Sequence, residues 1–350
     1  NFAECPLRYY LRYGVDLKER EEFTFSPVNF GVVLHAVIRE VCDEIKKNGE
    51  SYYLISEEKR REMVKRSVAA ITDIYQNSIL KDSSRNSFMI KRMEDLADRT
   101  IWAMGEQLKC GDFVPFVFEH KFNMEVGDGD RKQLMSGTID RVDICENGTD
   151  VYVRIIDYKT GKKDFNIVKT YYGIDIQLMV YMEAAMKLVA KMRPGKNVIP
   201  AGVFYYNISD PIVSATTESA EEIEDKIKGE LRLKGMVNSD KDIAEKMDNT
   251  EGTSLNIPVS RKADSGFDSR RSKVMNTEQF NMLGRFVDVR AVDTADRIAV
   301  GDIRRSPYKD GQFSSCDRCP YGAVCGFSVD LPGCNYRKLK KFDDEVLWNN

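Results

Sequence analysis

Asp140, Asp157 and Lys159 are the residues of this sequence best suited to hold a divalent ion and act on a substrate beside it. Two carboxylates can share one hard cation. A neighbouring lysine can orient or deprotonate a water and neutralise developing negative charge. Asn147-Gly148 between two strand-like runs predicts a hairpin whose arms are Gln133–Cys145 and Val151–Lys159. With those two residues as the turn, Asp140 pairs with Ile155 and Thr138 with Asp157. Side chains alternate along a strand, so Asp140, Asp157 and Lys159 are expected on one face. The two carboxylates are then diagonal neighbours, about 7–8 Å apart at the backbone. The rest of that face is Val142, Ile144, Val151, Val153 and Ile155. An apolar face that ends in uncompensated carboxylates is unfavourable, and a divalent ion would compensate both. An isolated Asp-x-Lys is usually a strand-end ion pair; Asp140 across the hairpin is what favours a metal. Asp143 has the opposite parity and is expected in a surface ion pair.

A second group is Cys316-x2-Cys319-x5-Cys325, within a turn-forming segment. Clustered cysteines in a chain without a secretory signal read as metal ligands rather than disulfides. Three thiolates need a fourth. Cys334 is local and would complete a zinc knuckle. Cys5, at the far end of the chain, would instead staple the two ends together. Spacing alone leaves both open. Cys42, Cys110 and Cys145 read as free thiols.

The elements that must position these groups follow from periodicity. Leu34, Val37, Ile38, Val41 and Ile45 predict an amphipathic helix over Phe30–Lys47, with His35 beside its apolar stripe. Residues 57–76 and 88–109 read as helices of an inserted lobe. Phe113–Glu125 predicts a strand, with Val114, Phe116, Phe118, Phe122 and Met124 on one face and Glu119 on the other. Glu119 is therefore expected at most near the site, not in it. A helix over Asp175–Lys191 puts Gln177 and Tyr181 on one face. Val198–Asn207 predicts a strand, with Pro200 at an edge or in the loop before it. Residues 218–234 and 277–300 read as charged helices. The basic groups Arg261-Lys262, Arg270-Arg271-x-Lys273 and Arg337-Lys338-x-Lys340-Lys341 suit either solvent or phosphate.

The composition is that of a soluble globular chain. Of 350 residues, 42% are hydrophobic and 31% charged, and the net charge is -3. These values exclude bulk disorder and a general cationic coat for DNA, but not a local basic channel. No apolar run approaches the roughly 20 residues of a membrane helix. No Gly-x4-Gly-Lys-Ser/Thr loop occurs, so ATP hydrolysis by this chain is not expected. The start at Asn1, directly before Cys5-Pro6, reads as the inside of a longer protein.

Four motifs in order carry a family likeness: Gly31-x3-His35, Gly137-Thr138-Ile139-Asp140-Arg141-Val142-Asp143, Ile156-Asp157-Tyr158-Lys159-Thr160-Gly161 and Gln177-Leu178-Met179-Val180-Tyr181. They resemble the PD-(D/E)xK nucleases of the RecB branch. Cys5-Pro6 and the Cys316 triplet look like the iron–sulfur staple of that branch. Together with Pro307-Tyr308-Lys309, they resemble the C-terminal nuclease domains of AddB-type subunits of bacterial helicase–nucleases. The likeness covers nearly the whole chain. It implies a restriction-endonuclease-like α/β core of helix, three strands, helix and strand, with helical insertions. The expected organisation is one nuclease domain over 1–350: a helical insertion at 51–110, the catalytic sheet at 111–207, a mostly helical insertion at 208–302 and a cysteine segment with tail at 303–350.

The same resemblance implies roles. His35, Asp140, Asp157 and the carbonyl of Tyr158 would bind Mg²⁺ or Mn²⁺, Lys159 would serve the attacking water, and Gln177 and Tyr181 would touch DNA. Cys5 rather than Cys334 would join Cys316, Cys319 and Cys325 around a [4Fe–4S] cluster. The implied activity is metal-dependent exonuclease action on the unwound, 5′-terminated strand at double-strand breaks, for recombinational repair. It would take place in the bacterial cytoplasm, beside an AddA-type partner subunit that carries the motor. A stand-alone RecB-like exonuclease of CRISPR adaptation and a non-catalytic DNA-binding scaffold are the competing expectations.

Overall fold

Val151, Tyr152, Val153, Ile155, Ile156 and Tyr158 are all buried, and they enter two different apolar cores. A strand covered on both faces is a central strand, and the rest of the fold is arranged around it. The computed structural model describes residues 1–18, 27–75, 84–127, 132–214, 219–262 and 266–340. The elements run α1 (Pro6–Tyr9), continuing into a π-helical turn, then α2 (Pro27–Lys47), α3 (Glu57–Tyr75), α4 (Ser84–Lys109), β1 (Val114–Val126), β2 (Gln133–Asn147) and β3 (Asp150–Lys159). Next come α5 (Ile167–Tyr171), α6 (Gln177–Met192), β4 (Asn197–Asn207), α7 (Ala220–Glu230), β5 (Lys234–Asn238), α8 (Lys241–Met247), β6 (Val274–Met275) and α9 (Thr277–Ala299). The chain ends in β7 (Tyr308–Asp310), β8 (Phe313–Ser314), α10 (Gly322–Cys325) and β9 (Arg337–Lys338). Gln76, Glu218 and Lys341, which belong to predicted helices and to the basic tail, lie outside the described residues.

Strands β1 to β6 form one mixed sheet in sequence order. Its first face packs on α2, α3 and α4 through Tyr152, Ile156, Tyr158, Phe204 and Tyr206. Its second face packs on α6 and α9 through Val142, Ile144, Val151, Val153, Ile155 and Tyr205. The apolar stripe of α2 is buried as its spacing predicts: Val33, Leu34, Val37, Ile38, Val41 and Ile45 are each at most 1% exposed. Among the described residues no helix is long and apolar enough to cross a membrane.

Four expectations are corrected. The hairpin turn is Gly148-Thr149, because Asn147 pairs with Asp150 and Val142 with Ile155. Gly148 has φ +59, the glycine conformation of a two-residue turn with positive φ at its first central position. The register is thus shifted by two residues, which preserves side-chain parity. Pro200 lies inside β4, a central strand. It is tolerated because β5 begins pairing only at Gly202 and a bulge interrupts the β3 ladder at this level. The segment between 208 and 302 adds strands β5 and β6 to the sheet as well as helices. Finally, the phenylalanines of β1 do not share a face. Phe118 packs in the first core and Phe122 in the second, because the strand is irregular near Pro115 and again at Glu119.

Asp143 is in an ion pair, but not at the surface. It is 0% exposed, and Arg141 and Arg154 are each 1% exposed. Arg141 donates to both carboxylate oxygens at 2.7 and 2.6 Å, and Arg154 Nε donates at 2.9 Å. Burial pushes the Asp143 carboxyl up, but the two guanidinium charges outweigh it and hold the group below the usual range. Asp143→Ala leaves two buried cations without a counter-charge, so it should cost about 3–5 kcal/mol. Urea denaturation checks this; a loss under about 1 kcal/mol contradicts it.

Candidate active site

Three elements bring acids and bases to one edge of the sheet. Helix α2 supplies His35, β1 supplies Glu119 and β2 supplies Asp140. His35 Nδ1 lies 3.4 Å from Glu119 Oε1 and 3.5 Å from Asp140 Oδ2. The ligand atoms of these three residues all fall within 4.8 Å of one another. The strands deform to achieve this. Glu119 has φ +46, a left-handed conformation that is strained for a residue with a Cβ. Opposite it, Ile139 and Val142 both enter the second core although they are three residues apart, so alternation in β2 breaks at Asp140 and Arg141. Asp140 also accepts a hydrogen bond from the Tyr158 N–H at 2.7 Å.

Strand β3 adds Asp157 and Lys159. Asp157 is 1% exposed. Its Oδ1 accepts from Gln177 Nε2 at 2.9 Å, and its Oδ2 forms an ion pair with Lys159 Nζ at 2.5 Å. Gln177 also contacts the Tyr181 hydroxyl at 3.0 Å. The Tyr181 ring packs edge-on against Phe122, with centroids 5.7 Å apart. Gly137 makes this packing possible, since a Cβ there would lie 2.9 Å from the Phe122 ring and 3.3 Å from Tyr181. The Lys159 and Lys163 ammonium groups both sit over the Tyr205 ring, at 5.7 and 5.4 Å.

Burial, then the charge of Asp140, pushes the Asp157 carboxyl up to about 7, against the pull of Lys159 and His35. Burial opposes protonation of His35, but hydrogen bonds to Asp140 and Glu119 outweigh it and push the imidazole up to about 10. Three carboxylates thus crowd one histidine and one lysine. Crowded oxygen donors with one imidazole suit a divalent metal ion. A cavity of about 600 Å³ opens on this group, lined by His35, Arg39, Glu119, Tyr158, Lys159 and Thr160.

The structure brings His35 and Asp140 together with Glu119, while Asp157, outside that group of mutually close ligand atoms, is linked to Lys159 and Gln177, and Gln177 to Tyr181. Tyr158 turns its ring into the first core, against His35 and Tyr206, and presents its N–H to Asp140. Glu119, expected at most nearby, stands in the cluster itself. The signal that could have found it is its place in the ladder, between Phe118↔Arg141 and His120↔Ile139 and hence across from Asp140.

A second site lies where the chain ends meet. Cys5, Cys316, Cys319 and Cys325 line one small cavity, together with Arg8 and Arg305. Cys334 is buried but does not line it. Protein contacts hold the ends in place. Leu7 N–H donates to the Arg304 carbonyl at 3.2 Å and Ser315 Oγ donates to the Glu4 carbonyl at 3.2 Å. Arg337 donates to the carbonyls of Ala3, Glu4 and Ser306. Arg261 likewise spends its guanidinium on the carbonyls of Ala244, Asp248 and Thr250. These two arginines of the basic groups are therefore structural.

Comparison with known proteins agrees with the geometry. The family model described as the PD-(D/E)XK nuclease superfamily matches residues 1–326. Proteins named as B-type subunits of ATP-dependent helicase/deoxyribonucleases are similar over 99% of this chain. Those of Thermoanaerobacter sp. (strain X514) and Clostridium acetobutylicum are 33% identical, and that of Caldanaerobacter subterraneus subsp. tengcongensis is 34% identical. The chain spans only 31%, 31% and 30% of their respective lengths. A helix-flanked mixed sheet, an acidic cluster at its edge and a family match over most of the sequence lead to one conclusion: the chain belongs to the PD-(D/E)XK nuclease superfamily.

Proposed function

We propose that this chain is the metal-dependent DNA exonuclease domain of a helicase–nuclease that processes double-strand DNA ends. One observation carries the reading: His35, Glu119 and Asp140 converge beside the buried Asp157–Lys159 pair. A divalent ion held there would polarise a phosphodiester and lower the pKa of a water. His35, Asp140 and Asp157 would hold it, with Glu119 as a further carboxylate and the Tyr158 carbonyl as a further oxygen donor. Lys159 would orient the attacking water and stabilise charge on the phosphorane-like transition state; its ion pair with Asp157 supports this. Gln177 fixes Asp157 from the helix side. With Tyr181 it flanks the site, where hydrogen bonding and stacking suit an unwound single strand.

The four cysteines that line one cavity support a [4Fe–4S] staple of the two chain ends. Sulfur is the only ligand type they offer, and iron–sulfur clusters take four thiolates. Four thiolates could also hold a zinc ion; the family likeness favours the cluster. Degradation of the 5′-terminated strand, an AddA-type partner subunit that drives unwinding, and a bacterial cytoplasmic setting complete the proposal. The names of the similar proteins support a partner subunit; the strand polarity and the cytoplasmic setting rest on the family likeness.

The test uses oligonucleotides labelled at the 5′ or 3′ end, single- or double-stranded, with Mg²⁺, Mn²⁺ or EDTA. Metal-dependent shortening of the single strand from its 5′ end supports the proposal; cleavage unaffected by EDTA contradicts it. Ion binding also has a pH signature. His35 is largely protonated below about pH 10 and must lose its proton to ligate an ion. Affinity for Mn²⁺ should therefore rise about tenfold per pH unit between about pH 7 and 9. It should fall more steeply below about 7, where Asp157 is also protonated. Calorimetric titration across that range checks this, and a flat profile shows that ion binding displaces no proton from His35.

A further inference from the structure

We infer that Arg39 is a phosphate anchor for the nucleic-acid strand, one step along the backbone from the phosphodiester that is cut. This rests on the nuclease reading above and adds to it a substrate contact that the motifs do not contain. Gly31, His35 and Arg39 are spaced by four residues and form one row along α2, and all three line the active-site cavity. The row presents bare backbone at Gly31, the metal-site imidazole at His35 and a guanidinium at Arg39. Adjacent members of such a row are about 5–6 Å apart at Cβ, on the scale of the spacing between successive phosphates of a strand.

Arg39 is exposed and makes no ion pair or hydrogen bond among the described residues. Helix α2 carries three acids, Glu40, Asp43 and Glu44, and Asp43, four residues beyond Arg39, makes no ion pair with it among the described residues. Glu44 is committed to Arg66, at 2.5 and 2.7 Å, and Glu40 accepts from Ser67 at 2.9 Å, both on α3. The other cation on the cavity wall, Lys159, is committed to Asp157. Arg39 is thus the lining cation left free to meet a phosphate. A guanidinium does so bidentately, which fixes orientation as well as charge. Its contact lies beside the reacting group, so Arg39 is a positioning residue.

The test measures binding of a fluorescent single-stranded oligonucleotide to the 350-residue chain in EDTA, with about 50 to 200 mM salt, for wild type, Arg39→Met and Arg39→Lys. Removing one phosphate contact should weaken binding about tenfold. It should also lower the slope of log affinity against log salt by about 0.7. Arg39→Lys should keep the slope and recover part of the affinity. Mn²⁺ affinity of Arg39→Met, measured without DNA, should match wild type. If Arg39→Met keeps both affinity and slope while wild type binds and cleaves, the anchor is wrong and the nuclease reading stands. If wild type neither binds nor cleaves, both fall.

Discussion

Asp157→Ala is expected to reduce metal-dependent DNA cleavage about 10³-fold or more while leaving the fold intact. The carboxylate is buried, and each oxygen has an assigned neighbour: Gln177 on one side and Lys159 on the other. Removing it would delete a proposed metal ligand and free the Lys159 ammonium from its ion pair. The stability effect has the opposite sign. Burial and the Asp140 charge already hold the Asp157 carboxyl at about 7, far above an ordinary aspartate. A group with a raised folded-state pKa that is forced to ionise destabilises the fold, and this penalty grows as pH rises past the ordinary aspartate value. Metal-free Asp157→Ala should therefore melt no lower than wild type at about pH 8. Asp157→Asn separates the roles, since its amide oxygen can still accept from Gln177 but carries no charge for a cation. Cleavage by Asp157→Ala within tenfold of wild type contradicts the assignment.

Cys5→Ser should have the largest effect on stability. A metal centre shared by Cys5, Cys316, Cys319 and Cys325 closes nearly the whole chain into one loop. By loop-closure entropy, such a cross-link contributes on the order of 5 kcal/mol. Anaerobically purified wild type should be brown, with absorbance near about 400 nm and about four irons per chain. Cys5→Ser should lose colour and iron and melt well below wild type, whereas Cys334→Ser should keep both. Arg337 still clamps Ala3 and Glu4 in the variant, so partial docking of the N-terminal segment is expected to persist. Stoichiometric zinc with no colour contradicts the cluster, and loss of colour on Cys334→Ser rather than Cys5→Ser contradicts the ligand choice.

The parts of the site that depend on parity are legible in the sequence, and those that depend on local distortion are not. Asp157 shares the second core with Val151, Val153 and Ile155 as alternation requires, even though the turn falls one residue later than Asn147-Gly148. A two-residue slip moves partners but not faces. The slip does hide the Arg141–Asp143–Arg154 cluster. Asp143 pairs with Arg154 in the true register, whereas the expected register sets Tyr152 opposite it. Glu119 is legible only as a polar residue on the less apolar side of a strand. Its entry into the site depends on its positive φ and on the matching break in β2, neither of which has a glycine or proline to announce it. The family likeness favours Cys5 over Cys334, and the cavity that holds Cys5 with the triplet supports that choice. The basic groups are the least legible. Arg261 and Arg337 turn inward to carbonyls, while Arg39, which belongs to no basic run, faces the site.

On the proposed reading, one edge of the sheet holds a divalent ion between α2, β1, β2 and β3. Crystals grown with Mn²⁺ and measured at the manganese absorption edge test it most directly. The account predicts an anomalous peak within ligand distance, about 2.0–2.3 Å, of His35 and of both Asp140 and Asp157. An anomalous map with no peak at these residues while Mn²⁺ occupies another position, or a peak ligated without Asp157, would contradict it.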